Sequence, residues 1–187
     1  CMDGFIISHS IGMVDFLPDE VVKRFVGEFK AQDTLLDVTR PVSYGPLVLA
    51  DQYHEYKAVQ DAVMTDVFDV ALSVADEFAE ISGKRYGLFD TYRLEDADFG
   101  LIALNSAAGT CKDVIDEARK AGFKVGLLKP RLFRPFPYQQ IGDALKHLKA
   151  ACVLDRADSY GAYGPLFTEI ASSLYPYATK PLMINRI

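Results

Sequence analysis

The 187 residues carry 20 basic and 26 acidic side chains, a net charge of −6 with a pI near 5.0, and half of them are hydrophobic. This is one domain, or one domain plus an extension, and its 12 Phe and 10 Tyr supply a real core, which excludes a disordered chain. The acidic balance argues against a nucleic-acid or anionic-membrane surface, and no apolar run approaches the ~20 residues of a membrane span.

Cys1, Cys111 and Cys152 stand far apart. They form no C-x-x-C pair for zinc, an iron–sulfur cluster or a redox dithiol, and they fit a reducing cytoplasm better than a disulfide framework. No basic region followed by an apolar stretch marks a signal peptide. The abrupt opening Cys1-Met2-Asp3-Gly4 and the abrupt strand-like end at Ile187 suggest a segment of something larger.

In chain order, Phe5-Ile6-Ile7 reads as a strand, and Asp19–Val22 as the start of a short helix with Pro18 and acids in its first turn. Gly27, Pro41, Gly45 and Pro46 interrupt the next stretch, which reads as an extended arm. Apolar residues from Tyr56 through Val59, Val63, Val67, Val70, Val74 and Phe78 to Ile81 then recur at helical spacing. One long helix over 51–83 is predicted, capped by Asp51, ended by Gly83 and about 46 Å long.

From residue 84 strands and helices alternate. Tyr86–Arg93 reads as an edge strand, and Phe99–Leu104, Lys124–Leu128, Ala151–Leu154 and Leu182–Arg186 as further strands. Thr110–Ala121, Tyr138–Lys149 and Pro165–Leu174 read as helices, the first capped by Thr110. This order predicts a mostly parallel sheet with helices on both faces and one antiparallel edge strand. The expected organisation is an arm over 1–50, the connecting helix over 51–83 and an α/β domain over 84–187.

Ligands of such sheets bind beyond the carboxyl ends of the strands. One loop there, Asn105–Thr110, offers Ser106, Gly109 and Thr110 at a helix start as an anion-binding turn, or simply as a tight turn with a cap. A second, from Asp155 to Pro165, presents Ser159, Tyr160, Gly161, Tyr163 and Gly164 as a sticky rim suited to an interface. The stiff Lys129–Pro137 segment carries Arg131 and Arg134, which either meet a carboxylate or phosphate or pair with this chain's own acids. His9, His54 and His147 have no metal-binding spacing, so no metal site is expected. Cys111 near a helix start reads as an inert half-buried thiol, and Glu95, Asp96 and Asp98 as a solvated loop.

Several segments together resemble one family. They are Met2–His9, Lys84–Leu88, Tyr92–Asp98, Ala107–Val114, Val125–Pro137 with its R-L-F-R-P-F-P run, and Leu154-Asp155-Arg156 leading to Gly164–Glu169. The set is similar to the C-terminal portion of the alpha subunit of pyruvate (2-oxoacid):ferredoxin/flavodoxin oxidoreductase. The resemblance implies a transketolase C-terminal-like domain, a three-layer α/β/α sandwich with a five-stranded, mostly parallel sheet.

It also implies a parent enzyme that converts a 2-oxoacid and coenzyme A to acyl-CoA and carbon dioxide. That enzyme uses thiamine diphosphate, magnesium and iron–sulfur clusters, and passes electrons to ferredoxin or flavodoxin. The implied partners are a thiamine-binding domain and a beta subunit in a dimeric assembly, and Asp3–Ser8 would be the last strand of a missing N-terminal domain. This sequence has no cluster cysteines, no G-D-G motif for the magnesium-diphosphate, and an altered stretch near Phe25-Val26-Gly27-Glu28. No catalytic or cofactor-binding residue carries over, and the expectation is a catalytically silent interface segment. The alternative from another class is a free-standing Rossmann-like phosphate- or nucleotide-binding module using loops 105–110 and 159–164.

Overall fold

A computed structural model describes residues 4–45 and 47–187. Cys1, Met2, Asp3 and Pro46, and with them the opening of the expected first strand, lie outside the described residues. Contacts divide the chain into two compact units: Met13–Arg85, and the residues up to Gly12 together with Tyr86–Ile187.

The first element corrects an expectation. Gly4–His9 is a helix, α1, where a strand was predicted. A short apolar run carries no periodicity that separates helix from strand. The sheet takes its strands from elsewhere, so the backbone here bonds to itself, and Ser10 Oγ donates to the Ile6 carbonyl.

In the unit Met13–Arg85, α2 (Asp19–Val26) begins behind Pro18 with Asp19 and Glu20 in its first turn. The long helix is also corrected: it is two helices, α3 (Ala50–Met64) and α4 (Val67–Ser82). At the break Thr65 N–H donates to Ala62 O and Asp66 N–H to Val63 O, both at 3.2 Å. The Thr65 hydroxyl adds a bond to the Ala62 carbonyl at 2.7 Å. The ladder has tightened to three-residue steps, as a back-bonding threonine favours. Leu49, not Asp51, holds the N-terminal flank of α3, whereas Gly83 does end α4 at φ 68°. Among the described residues none of α2 or α3 is buried, and Ala75 alone is buried in α4. Phe25 of α2 meets Phe78 of α4 edge-on at 5.8 Å.

The other unit is the α/β domain. Its elements are β1 (Phe89–Tyr92), β2 (Phe99–Ala103), α5 (Ala107–Lys120), β3 (Val125–Pro130), α6 (Tyr138–Leu145), β4 (Ala150–Leu154), α7 (Pro165–Leu174) and β5 (Leu182–Arg186). The five-stranded sheet has the order β1-β3-β2-β4-β5; β1 is antiparallel to β3 and all other pairs are parallel. The path steps one way from β2 to β3 and the other way through β4 to β5. Right-handed crossovers then place α5 on one face and α6 with α7 on the other.

The cores follow this arrangement. Ile141 and Leu145 of α6 and Leu166, Ile170 and Leu174 of α7 pack with Ile102, Leu128 and Val153 of the sheet. On the opposite face Ala108, Cys111 and Ile115 of α5 meet Ala103 and Leu127. The result is the three-layer sandwich with one antiparallel edge strand.

The turn between β1 and β2 is held by Arg119 of α5. Its guanidinium donates to Val125 O at 2.7 Å, to Arg93 O at 2.6 Å and to Asp96 at 2.7 Å. Asp96 stays exposed and Asp98 partly so, in keeping with the expected solvated loop, and each also holds an ion pair, Asp98 with Lys149 at 3.1 Å.

Candidate functional site

The carboxyl rim of the parallel strands carries three distinct features. The first is a polar cavity of about 290 Å³ between the β1–β3 edge and the start of α5. The antiparallel register sets Asp90 opposite Lys129, and Tyr92 opposite Leu127. Lys129 therefore stands at the rim of an otherwise apolar strand face, above Leu127. Arg131 follows at the strand end, donating to Asp90 at 2.6 Å with its guanidinium 4.3 Å from the Tyr86 ring centre. Lys112 of α5 lies 5.3 Å from the Tyr92 ring centre. Asn105, at φ 51°, turns the chain from β2 into Ser106 and Gly109 on the cavity wall.

The second feature is an apolar groove of about 530 Å³ at the point where the strand order reverses. Leu101, Leu154, Cys111, Val114 and Ile6 line it, with Thr110 and Arg156 at its polar margin. The predicted anion turn is therefore divided: Gly109 faces the polar cavity, Thr110 faces the groove, and Ser106 touches both. Because α5 begins at Ala107, Thr110 is inside the helix and not its cap. Cys111 consequently lies one turn in and buried, and burial pushes its thiol up from the ordinary value. Cys152 is raised for the same reason.

The third feature is the loop between β4 and α7. Asp155 is buried and accepts hydrogen bonds from Leu166 N at 2.8 Å, Phe167 N at 3.1 Å and Asn185 Nδ2 at 2.9 Å. It thereby caps α7 from eleven residues upstream. Gly164 N donates to Asn185 Oδ1 at 3.0 Å, which closes the clasp. Ser159, Tyr160 and Gly161 stand exposed on the loop, with Tyr160 at φ 45° and 92% accessible. Tyr163 is exposed but rests on Phe167 at 4.6 Å. Gly164, expected on the interface with them, is buried and serves the clasp.

Both arginines of the proline-rich segment pair with this chain's own acids, Arg131 with Asp90 and Arg134 with Glu169 at 2.5 Å. Glu169 also accepts from the Tyr138 hydroxyl, whose pKa is raised by that bond. Among the described residues no group of three His, Cys, Asp or Glu is placed to hold a metal ion. Nothing in the spacing of Asp90, Lys112 and Lys129 marks them as neighbours, because strand pairing joins Asp90 to Lys129 and the packing of α5 on the sheet brings Lys112 beside them.

Similarity to known proteins decides what carries this rim. The family model for pyruvate:ferredoxin oxidoreductase core domain II matches residues 97–187. The pyruvate synthase subunit PorA of Thermotoga maritima is 46% identical over 182 residues, covering 97% of this chain and 46% of that subunit. Over nearly its whole length the chain is similar to part of the PorA subunits. PorA of Methanosarcina barkeri is 40% identical over 177 residues, 94% of this chain and 44% of that one. The ketoisovalerate oxidoreductase subunit VorA of Pyrococcus horikoshii is 37% identical over 185 residues, 98% and 47% of the two chains. The chain thus spans about half the length of these PorA and VorA relatives, all of them oxidoreductase subunits. A solved 2-oxoglutarate:ferredoxin oxidoreductase from Magnetococcus marinus superposes with a TM-score of 0.41 at 19% identity, over 54% of this chain and 16% of that one.

Proposed function

We propose that this segment is a non-catalytic, interface-building part of a 2-oxoacid:ferredoxin oxidoreductase, which oxidatively decarboxylates a 2-oxoacid to acyl-CoA. Its partners are the thiamine-binding domain and beta subunit of that enzyme in a dimeric assembly. Coenzyme A and ferredoxin are partners by way of the parent complex. In this reading the thiamine diphosphate, magnesium and iron–sulfur clusters belong to the rest of the parent enzyme, and this segment binds none of them.

One observation carries the interface reading. In a chain 46% identical to PorA, the helices α3 and α4 expose a row of large apolar residues. Tyr56, Val59, Val63 and Val70 are each more than half accessible, although their spacing is that of a buried helix face. The exposed Tyr160 and Tyr163 add aromatic area of the kind enriched at interfaces. The proposed interface also takes in Ser159, Gly161, Arg131 and Arg134, the two arginines while paired with Asp90 and Glu169.

The test is made in the intact enzyme. Val59→Lys with Val63→Lys, and separately Tyr160→Ala, are expected to reduce co-purification with the beta subunit and to reduce oxoacid turnover in proportion. Variants that assemble and turn over like the parent overturn the reading.

A further inference from the structure

We propose, building on that interface reading, that the apolar row of α3 and α4 docks a face of a different subunit that sets lysine and arginine around an apolar centre. A second copy of the same two helices is not the occupant. Exposure shows that something covers the row, and charge selects what does.

Nothing in this chain buries α3. All 15 of its residues are exposed, and a helix of that length standing in water is marginal by itself. Tyr56, Val59 and Val63 follow one another at steps of three and four and so share a face of α3. Val70 and Val74 do the same on α4. All five are exposed, and docking removes their apolar area from water.

The border of this row is acidic. From Ala50 to Ser82 the chain carries eight acidic residues against one base, Lys57, a balance of −7 with histidine neutral. The whole chain stands at −6, so the other residues together come to +1, and the negative charge of the protein is concentrated on these two helices. Among the described residues Asp76 alone of the eight is in an ion pair, with Arg85 at 2.5 Å. Lys57 is turned to Gln60 at 3.0 Å and to the Tyr53 ring. Glu55 stands four residues before Val59, and Glu77 three after Val74, so both carboxylates lie on the valine faces. Carboxylates beside an apolar patch speed the arrival of a partner of opposite charge and penalise one of like charge. A second copy docking by the same face would set −7 against −7. A basic-bordered apolar face satisfies both the row and its margin.

The test follows assembly of the intact subunit with separately produced beta subunit, at sodium chloride from about 20 to 300 mM. Glu55→Gln with Glu77→Gln is compared with Glu95→Gln with Asp113→Asn, two exposed acids of the α/β domain, and with Val59→Ser with Val63→Ser. Salt is expected to slow assembly of the parent. The Glu55 and Glu77 pair should slow it about fivefold at low salt and flatten the salt dependence, the control pair should change neither, and the serine pair should hasten dissociation. Assembly that ignores salt and the Glu55 and Glu77 pair but fails in the serine pair overturns the basic partner and leaves the interface reading standing. Normal assembly of the serine pair overturns both. Equal slowing by the control pair overturns the assignment. So does a dimer of the subunit alone that the serine pair dissolves and the Glu55 and Glu77 pair tightens, since the occupant is then a second copy.

Discussion

Asp155 and Gly164 are packed so closely that a Cβ on Gly164 would lie 2.3 Å from the Asp155 carboxylate. The backbone of Gly164, at φ −59°, is open to any residue, so space and not conformation demands glycine there.

That proximity gives a first prediction. Gly164→Ala must push Asp155 off the three donors it serves and is expected to destabilise the fold by about 1–3 kcal/mol. Asp155→Ala is expected to cost a similar amount by leaving the buried Leu166 and Phe167 amides unpaired. Urea unfolding of both variants measures this, and midpoints equal to the parent would refute the clasp as a stabilising device.

Two other glycines separate rigid from yielding neighbours. A Cβ on Gly126 would fall 2.5 Å from Arg93 O and 2.6 Å from Leu94 Cα, both backbone. One on Gly100 would fall 2.6 Å from the end of the Leu148 side chain. Gly126→Ala is expected to cost about 3 kcal/mol or to prevent folding, and Gly100→Ala about 1 kcal/mol, since Leu148 can change rotamer. Thermal melts that rank the two the other way would contradict the packing.

The Asp96 carboxyl is held below its ordinary value of 3.8, chiefly by the hydrogen bond from Arg119. A depressed folded-state pKa means that the unfolded chain takes up the proton first. The stabilisation is therefore complete above 3.8 and is lost as pH falls through the lower folded value. Asp96→Asn should be less stable than the parent at neutral pH, with the gap narrowing on acidification below 3.8. Paired urea titrations check the sign, and a gap that widens in acid would rule the bond out as its source.

Tyr160 and Tyr163 differ in what holds them. Tyr160→Ala should leave stability within about 0.5 kcal/mol, as for an exposed side chain without packing. Tyr163→Ala should cost about 0.5–1.5 kcal/mol through its ring pair with Phe167. Denaturation of each variant separates these values, and equal losses would contradict the contact.

Helical and strand periodicity made most of the α/β domain legible. Pro165–Leu174 and Leu182–Arg186 have the expected bounds, because Pro165 marks the helix start and the apolar spacing marks its face. The N-terminal apolar run was ambiguous because strand identity depends on a partner that local sequence does not contain. The break at Thr65 was hidden for a different reason: apolar spacing continues across it, and only the shift in hydrogen bonding reveals two helices. The site was least legible. Lys112 and Lys129 look like ordinary solvated lysines until the β1–β3 register and the earlier start of α5 set them around one cavity.

The unequal cover of the sheet has a dynamic consequence. One face is covered by α6 and α7 packed against each other, while on the opposite face, among the described residues, α5 supplies the buried helix side chains. Native-state amide exchange should therefore release α5 well before the interlocked pair, as a separate opening unit. Anything that occupies the ground beside α5 then acts as a brake on that opening, and its arrival can be timed by the slowing of those amides.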